Sequence, residues 1–170
     1  MGLQDDEKLA DFRKAIENGE YSLNARRDIK EIQTLHVTRT VRLLHSDEIR
    51  ENNNMVIDAL INNQVTRSRI VEIKLNASNL DIRIKARIEA LTNYLMLTYA
   101  EDLKKNYKTQ TERKSVVNSM FDFTNKICAE IETVQKFADL IINDIDQAAW
   151  TLKSIIDCLK INDVVVRNGV

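Results

Sequence analysis

The chain has 170 residues, 44% of them apolar and 30% charged, with three Gly, no Pro and a formal net charge of −1. Average usage would supply about a dozen Gly and eight Pro over this length, and the Gly present lie near an end or a first break, at Gly2, Gly19 and Gly169. That deficit argues against hairpin-rich sandwiches, phosphate loops, nucleophile elbows and dinucleotide folds, which need residues tolerant of positive φ at set spacings. The expected fold is all-α, a single helical domain over residues 1–170 arranged as an elongated antiparallel hairpin or bundle with two shorter N-terminal helices. No catalytic residues and no cofactor are expected.

A first helix is predicted from about Leu3 to Asn18, with Leu9, Phe12 and Ile16 at three- and four-residue spacing and Gly19 as its C-terminal stop. Ser22 can cap a second helix whose Ile29, Ile32, Val41 and Leu44 face inward while Arg26, Arg27, Lys30, Arg39 and Arg42 stay wet. Ser46 followed by Asp47 and Glu48 reads as a new N-terminus, since a hydroxyl cap with acids in the first turn satisfies free N–H groups and the helix dipole. From there a stripe of Ile49, Val56, Leu60, Ile70, Ile73, Ala77, Leu80, Ile84, Ile88, Leu91 and Leu95 predicts one helix over 47–105, with a kink allowed at Asn76–Asn79. Thr109 and Glu112 have capping-box spacing.

A heptad helix is then expected over 110–160. Val117, Met120, Thr124, Ile127, Ile131, Val134, Ala138, Ile141, Ile145, Ala148, Leu152, Ile155 and Leu159 alternate steps of three and four, with Phe121, Cys128, Ile142, Ala149 and Ile156 widening the face. Rods of this length outrun the two short N-terminal helices, so the seam residues Ile127, Ile131, Val134, Ile141, Ile145, Leu152 and Ile155 are expected to hold a homo-oligomer or a partner protein. Residues 161–170 form a tail whose Val164–Val166 can dock or fray.

Charge is uneven along the chain. Residues 1–59, 60–115 and 116–170 carry −3, +5 and −3. The basic middle reads either as an anion-binding surface or as charge complementarity between neighbouring helices. Its cations are Arg67, Arg69, Lys74, Arg83, Lys85 and Arg87, then Lys104, Lys105, Lys108, Arg113 and Lys114. Tyr94, Tyr99 and Tyr107 can offer base stacking or pack as rim residues. His36 and His45 lack the company of a zinc site, and Asp139, Asp144 and Asp146 fit a solvated face or partner contact better than a metal cluster. Cys128 and Cys158, thirty residues apart on one helix, are beyond disulfide reach and read as reduced core thiols. Trp150 falls opposite the seam, where it either packs on another helix, the better fit, or contacts a partner. No stretch approaches a membrane span and no apolar leader opens the chain, so no membrane partner is expected.

Ile84-Lys85-Ala86-Arg87-Ile88, Glu112-Arg113-Lys114-Ser115 and Ala149-Trp150-Thr151-Leu152-Lys153-Ser154-Ile155 give residues 80–160 a resemblance to the UvsY-type recombination mediators of T4-like phages. Those are small helical proteins that assemble into rings, bind single-stranded DNA and load a recombinase. The chain departs from that pattern by a long N-terminal extension and an acidic last helix. The resemblance implies a cytoplasmic, self-assembling accessory protein whose Arg83, Lys85, Arg87, Arg113 and Lys114 contact single-stranded DNA beside a recombinase. The alternative is a structural or adaptor protein, such as a virion component, scaffold or inhibitor, acting through protein contacts.

Overall fold

The computed structural model describes residues 3–39 and 53–167, with backbone alone at 53, 159 and 161–167. Among the described residues the protein is all-α, with six α-helices and no strand. The helices are α1 Glu7–Glu17, α2 Ala25–Thr38, α3 Asn53–Thr98, α4 Ala100–Asn106, α5 Gln110–Ser119 and α6 Asn125–Arg167, with short 3₁₀ turns at Leu3–Asp5 and Asp122–Thr124. Val41, Arg42, Leu44, His45, Ile49 and the Ser46 cap lie outside the described residues. The chain divides into two compact units, Met1–Ala25 with Asn76–Val134 and Arg26–Leu75 with Gln135–Val170; α3 and α6 each contribute a part to both.

In the first unit, α1 starts later than Leu3 because Asp6 caps it, its Oδ1 accepting the N–H groups of Lys8 at 3.0 Å and Leu9 at 3.3 Å. The helix stops at Gly19 as expected. Glu20 N–H donates to the Ala15 carbonyl and Gly19 N–H to that of Ile16, a paired closure that requires the left-handed φ of +80° at Gly19. Ser22 does not cap the next helix, which begins three residues later at Ala25. Tyr21 instead lays its ring edge-on to Phe12, centroids 5.4 Å apart, which anchors the connection.

The expected helix over 47–105 is interrupted at Tyr99. Tyr99 N–H still donates to the Leu95 carbonyl, and Leu103 N–H to that of Tyr99, so the interruption bends the helix without opening a loop. Asn76–Asn79 lies within continuous helix. The capping box is complete: Thr109 Oγ1 accepts from Glu112 N–H, and Glu112 accepts from Thr109 N–H. That backbone donor holds the Glu112 carboxyl below its usual range.

The expected heptad helix breaks once, at Met120–Thr124, although Val117, Met120 and Thr124 keep the three-four rhythm. Phe121 and Phe123 explain the break. On a continuous helix they would point about 200° apart, yet both rings approach Phe12, at 6.5 and 5.5 Å. The 3₁₀ turn brings them to one side, closed by the Thr124 hydroxyl donating to the Phe121 carbonyl at 2.8 Å. Val164–Val166 continues the backbone of α6.

The second unit is aliphatic. Ile32, Ile70, Ile73, Ala138, Ile141, Ile142 and Ile145 are buried, and Val56 packs with Leu152 against Leu60, Ile155 and Ile156. Within α3 the buried positions Val56, Ala59, Asn63, Thr66, Ile70, Ile73, Ala77, Leu80 and Ile84 alternate steps of three and four. Two of those inward positions, Asn63 and Thr66, are polar.

Candidate nucleic-acid interface and outward helix faces

In the second unit the basic residues of α3 meet acids on other helices. Arg67 donates to both carboxylate oxygens of Asp146, Nε at 2.7 Å and Nη2 at 3.1 Å, the bidentate geometry that suits a guanidinium. Arg69 bridges Glu72, one turn on, and Glu31 of α2, and Lys74 Nζ lies 2.6 Å from Asp139. These bonds raise the pKa of Arg67 through Asp146 and of Arg69 through Glu72 and Glu31. Asp144 accepts from His36 at 2.8 Å and from Arg39. Arg39, expected to stay wet, has a side chain only 9% exposed because it lies along that carboxylate. The bond with His36, reinforced by Arg39, holds the Asp144 carboxyl below its usual range. The three aspartates thus act as separate counter-ions to cations on other helices. Among the described residues no group of His, Cys, Asp and Glu is placed to hold a metal ion.

The first unit holds the five cations singled out for DNA contact, in different settings. The Arg83 guanidinium lies over the Tyr21 ring, 5.3 Å from its centroid. Lys85 is 71% exposed and bonds Asp81 one turn back at 2.6 Å; that bond raises its pKa. Arg87 and Lys114 are exposed and have no ion pair among the described residues. Arg113 is committed to the chain itself, Nε donating to the Tyr107 carbonyl at 2.8 Å and Nη2 to that of Lys108 at 2.9 Å. Lys85 also projects about 200° round the helix from Arg83 and Arg87, so the Lys-Ala-Arg segment does not present one cationic face.

The tyrosines are engaged too. Tyr94 and Tyr99 donate their hydroxyls to Asp6 Oδ2, at 3.3 and 3.0 Å, and Lys8 Nζ lies 3.9 Å above the Tyr94 ring. Burial and the Asp6 carboxylate raise the Tyr99 phenol above its usual pKa. Tyr107 lines an open cavity of about 440 Å³ with Tyr99, Leu103, Val116 and Met120.

Of the seam residues, Ile131, Val134, Ile141, Ile145 and Leu152 are buried within the chain, and Ile127 and Ile155 partly so. Trp150 does not pack on another helix. It is 72% exposed, on the face of α6 that also carries Asn143, Asp146, Gln147 and Thr151. Cys158 is exposed and Cys128 half-buried, both free, so the core-thiol reading fails for Cys158.

Sequence reasoning missed Ile57, Ile61 and Val65, which point outward from α3 at 52%, 55% and 64% exposure. A signal was present. The stripe of inward aliphatics jumped from Leu60 to Ile70, and the heptad register across that gap selects Asn63 and Thr66, leaving these three on the far side. No helix among the described residues is long and apolar enough to cross a membrane. Compared with known proteins, the chain matches no family model, no curated relative and no solved structure.

Proposed function

We propose that this chain is a non-enzymatic helical adaptor or structural protein that works through protein contacts on the outward faces of its long helices. The observation that carries the reading is a mismatch of exposure and charge in one unit. Ile57, Ile61, Val65, Leu140 and Trp150 face solvent there, while Arg67, Arg69 and Lys74 are tied to Asp146, Glu31, Glu72 and Asp139. A surface whose cations are neutralised by neighbouring carboxylates has little left for phosphate, and an exposed Trp beside Asn143, Gln147, Thr151 and the Arg67-paired Asp146 has the composition of a protein-binding face.

Single-stranded DNA binding beside a recombinase, the UvsY-type reading, is the second reading. Arg87 and Lys114, exposed and free of ion pairs among the described residues, favour it together with the exposed Lys85. A labelled oligonucleotide titrated by anisotropy at about 50 mM salt, where electrostatic binding is strong, separates the two. The adaptor reading expects no binding. Salt-sensitive binding that Lys85→Ala with Arg87→Ala weakens, with a log–log salt slope shallower by about 0.7 per lost contact, would turn the assignment to the second.

A further inference from the structure

We propose that the cavity of about 440 Å³ in the first unit, lined by the Leu3–Asp5 turn, α4 and α5, binds an organic ammonium ion with a short apolar body, the charged head taken by Asp5, Asp102, Tyr99 and Tyr107. That volume suits a small ligand. Local bonds set the walls in advance. Arg113 donates Nε to the Tyr107 carbonyl and Nη2 to that of Lys108, and the capping box fixes the first turn of α5, so the corner carrying Tyr107 is held by the chain itself. On the other side, Asp6 caps α1 through Oδ1 and accepts the Tyr99 hydroxyl through Oδ2 at 3.0 Å, which ties Tyr99 to the segment that follows the Leu3–Asp5 turn.

The lining selects the sign of the ligand and its shape. Asp5 and Asp102 supply two carboxylates, and no Lys, Arg or His lines the cavity, so an anion is repelled. Tyrosine rings add their negative faces, which attract ammonium groups. Lys105 approaches Asp102 at 3.7 Å, but both side chains are exposed, 73% and 70%, and such a contact is weak enough to yield to a ligand. The rest of the wall is apolar, from Leu3, Leu103, Val116 and Met120. A bare metal ion or ammonium would leave that part uncovered, whereas a head with an alkyl chain covers both.

The chain carries its own example of the contact. Lys8 Nζ lies 3.9 Å from the centroid of the Tyr94 ring, and the Tyr94 hydroxyl donates to Asp6 Oδ2, the same oxygen that takes the Tyr99 hydroxyl. A phenol bonded to a carboxylate is enriched in electron density, which strengthens its hold on a cation over the ring. Tyr99 has the same bond, and no cation of the chain lies over its ring among the described residues. Burial, then the bond to Asp6, raises the Tyr99 phenol above its usual pKa, and the Asp5 charge adds to that effect, so the field of both carboxylates reaches this ring.

Backbone amide shifts in nitrogen-15 NMR of the full chain, titrated at neutral pH with hexylammonium, hexanol and hexanoate up to about 20 mM, a range that covers millimolar affinity, test the proposal. Hexylammonium should give saturable shifts centred on Tyr99, Leu103, Tyr107 and Val116. It should bind at least about tenfold more tightly than hexanol, a difference of about 1.4 kcal/mol, and hexanoate should not bind. Asp5→Asn with Asp102→Asn should remove that preference while hexanol binds as before, which shows the cavity intact; both positions are exposed. N-acetyl-lysine methylamide separates the sources of the head. Binding tighter than hexylammonium identifies a lysine of a partner chain, and weaker binding a free amine; either order supports the site. No saturable shift with hexylammonium, hexanol binding as tightly as hexylammonium, or a double variant that keeps the wild-type preference overturns the proposal.

Discussion

Four aromatic rings, Phe12, Tyr21, Phe121 and Phe123, meet edge to face or tilted in the unit formed by Met1–Ala25 and Asn76–Val134. The unit formed by Arg26–Leu75 and Gln135–Val170 has no ring pair among its described residues and carries ion pairs between helices. The two arrangements do different work. A buried ring removes a large apolar area from water and adds a geometric preference, whereas a half-exposed ion pair contributes about 0–1 kcal/mol and weakens in salt. Ion pairs that add so little stability still align helices and consume surface charge. The second unit accordingly leans on its aliphatic residues, and it is the one whose buried Asn63 amide has no hydrogen-bond partner among the described residues.

The sharpest way to break that contrast is Phe12→Ala. Phe12 is almost fully buried and touches three other rings, so truncation should cost about 3–5 kcal/mol. Hydrogen exchange would report where: protection should fall first in α1 and α5, and a uniform loss along the chain would show that the ring cluster is not a local device.

Asp6→Ala comes next. Asp6 is the cap of α1 and the acceptor for two tyrosine hydroxyls, so a denaturation midpoint should report a loss of about 2–3 kcal/mol, a cap plus bonds to a charged acceptor. Tyr99 supplies a separate readout. Its folded pKa lies above the ordinary 10.0, so its contribution is present below that value and drains as pH rises through the elevated one. In Asp6→Ala the phenol should titrate lower than in the wild type, though burial still holds it up.

Asp144→Asn probes the other unit with a smaller expected effect. The folded carboxyl lies below its ordinary 3.8, through its bond with His36 and then Arg39. Its contribution is complete above that ordinary value and is lost as pH falls towards the depressed one. The carboxylate is half-exposed and screened by water, so at neutral pH the loss should be about 1 kcal/mol or less. The variant's acid transition should be flatter below about pH 4 than the wild type's. An identical transition would remove Asp144 as a pH-linked group.

Much of this architecture was legible in the sequence because heptad spacing and caps act locally. Ile131, Val134, Ile141, Ile145 and Leu152 are buried where the three-four rhythm put them, and Thr109 with Glu112 closes the box its spacing announced. The break at Met120–Thr124 was not legible, because the rhythm runs through it and only the approach of Phe121 and Phe123 to the distant Phe12 decides it. The ion pairs were foreshadowed only as a general complementarity. Arg67 finding Asp146, 79 positions away, depends on how the helices pair. The candidate surfaces were the least legible. Five cations close in sequence occupy different faces and partners, and the outward ridge emerges only once the register of α3 assigns Asn63 to the core.

Trp150 gives the smallest expected effect on stability and the most direct reading of a surface. A large aromatic opposite the seam invited the expectation of packing on another helix, which would make Trp150→Ala costly. With the indole 72% exposed among Asn143, Asp146, Gln147 and Thr151, little apolar area returns to water when it is removed, and the change should fall within about 0.5 kcal/mol. Acrylamide should quench the emission of the free protein efficiently, and that emission should be red-shifted, since Trp150 is the chain's one tryptophan. Repeating the quenching at high protein concentration makes the measurement discriminating, since protection that grows with concentration would place Trp150 in a contact between copies. A blue-shifted, unquenchable indole in the dilute monomer would restore the packed reading and take this face of α6 out of consideration as a surface for any partner.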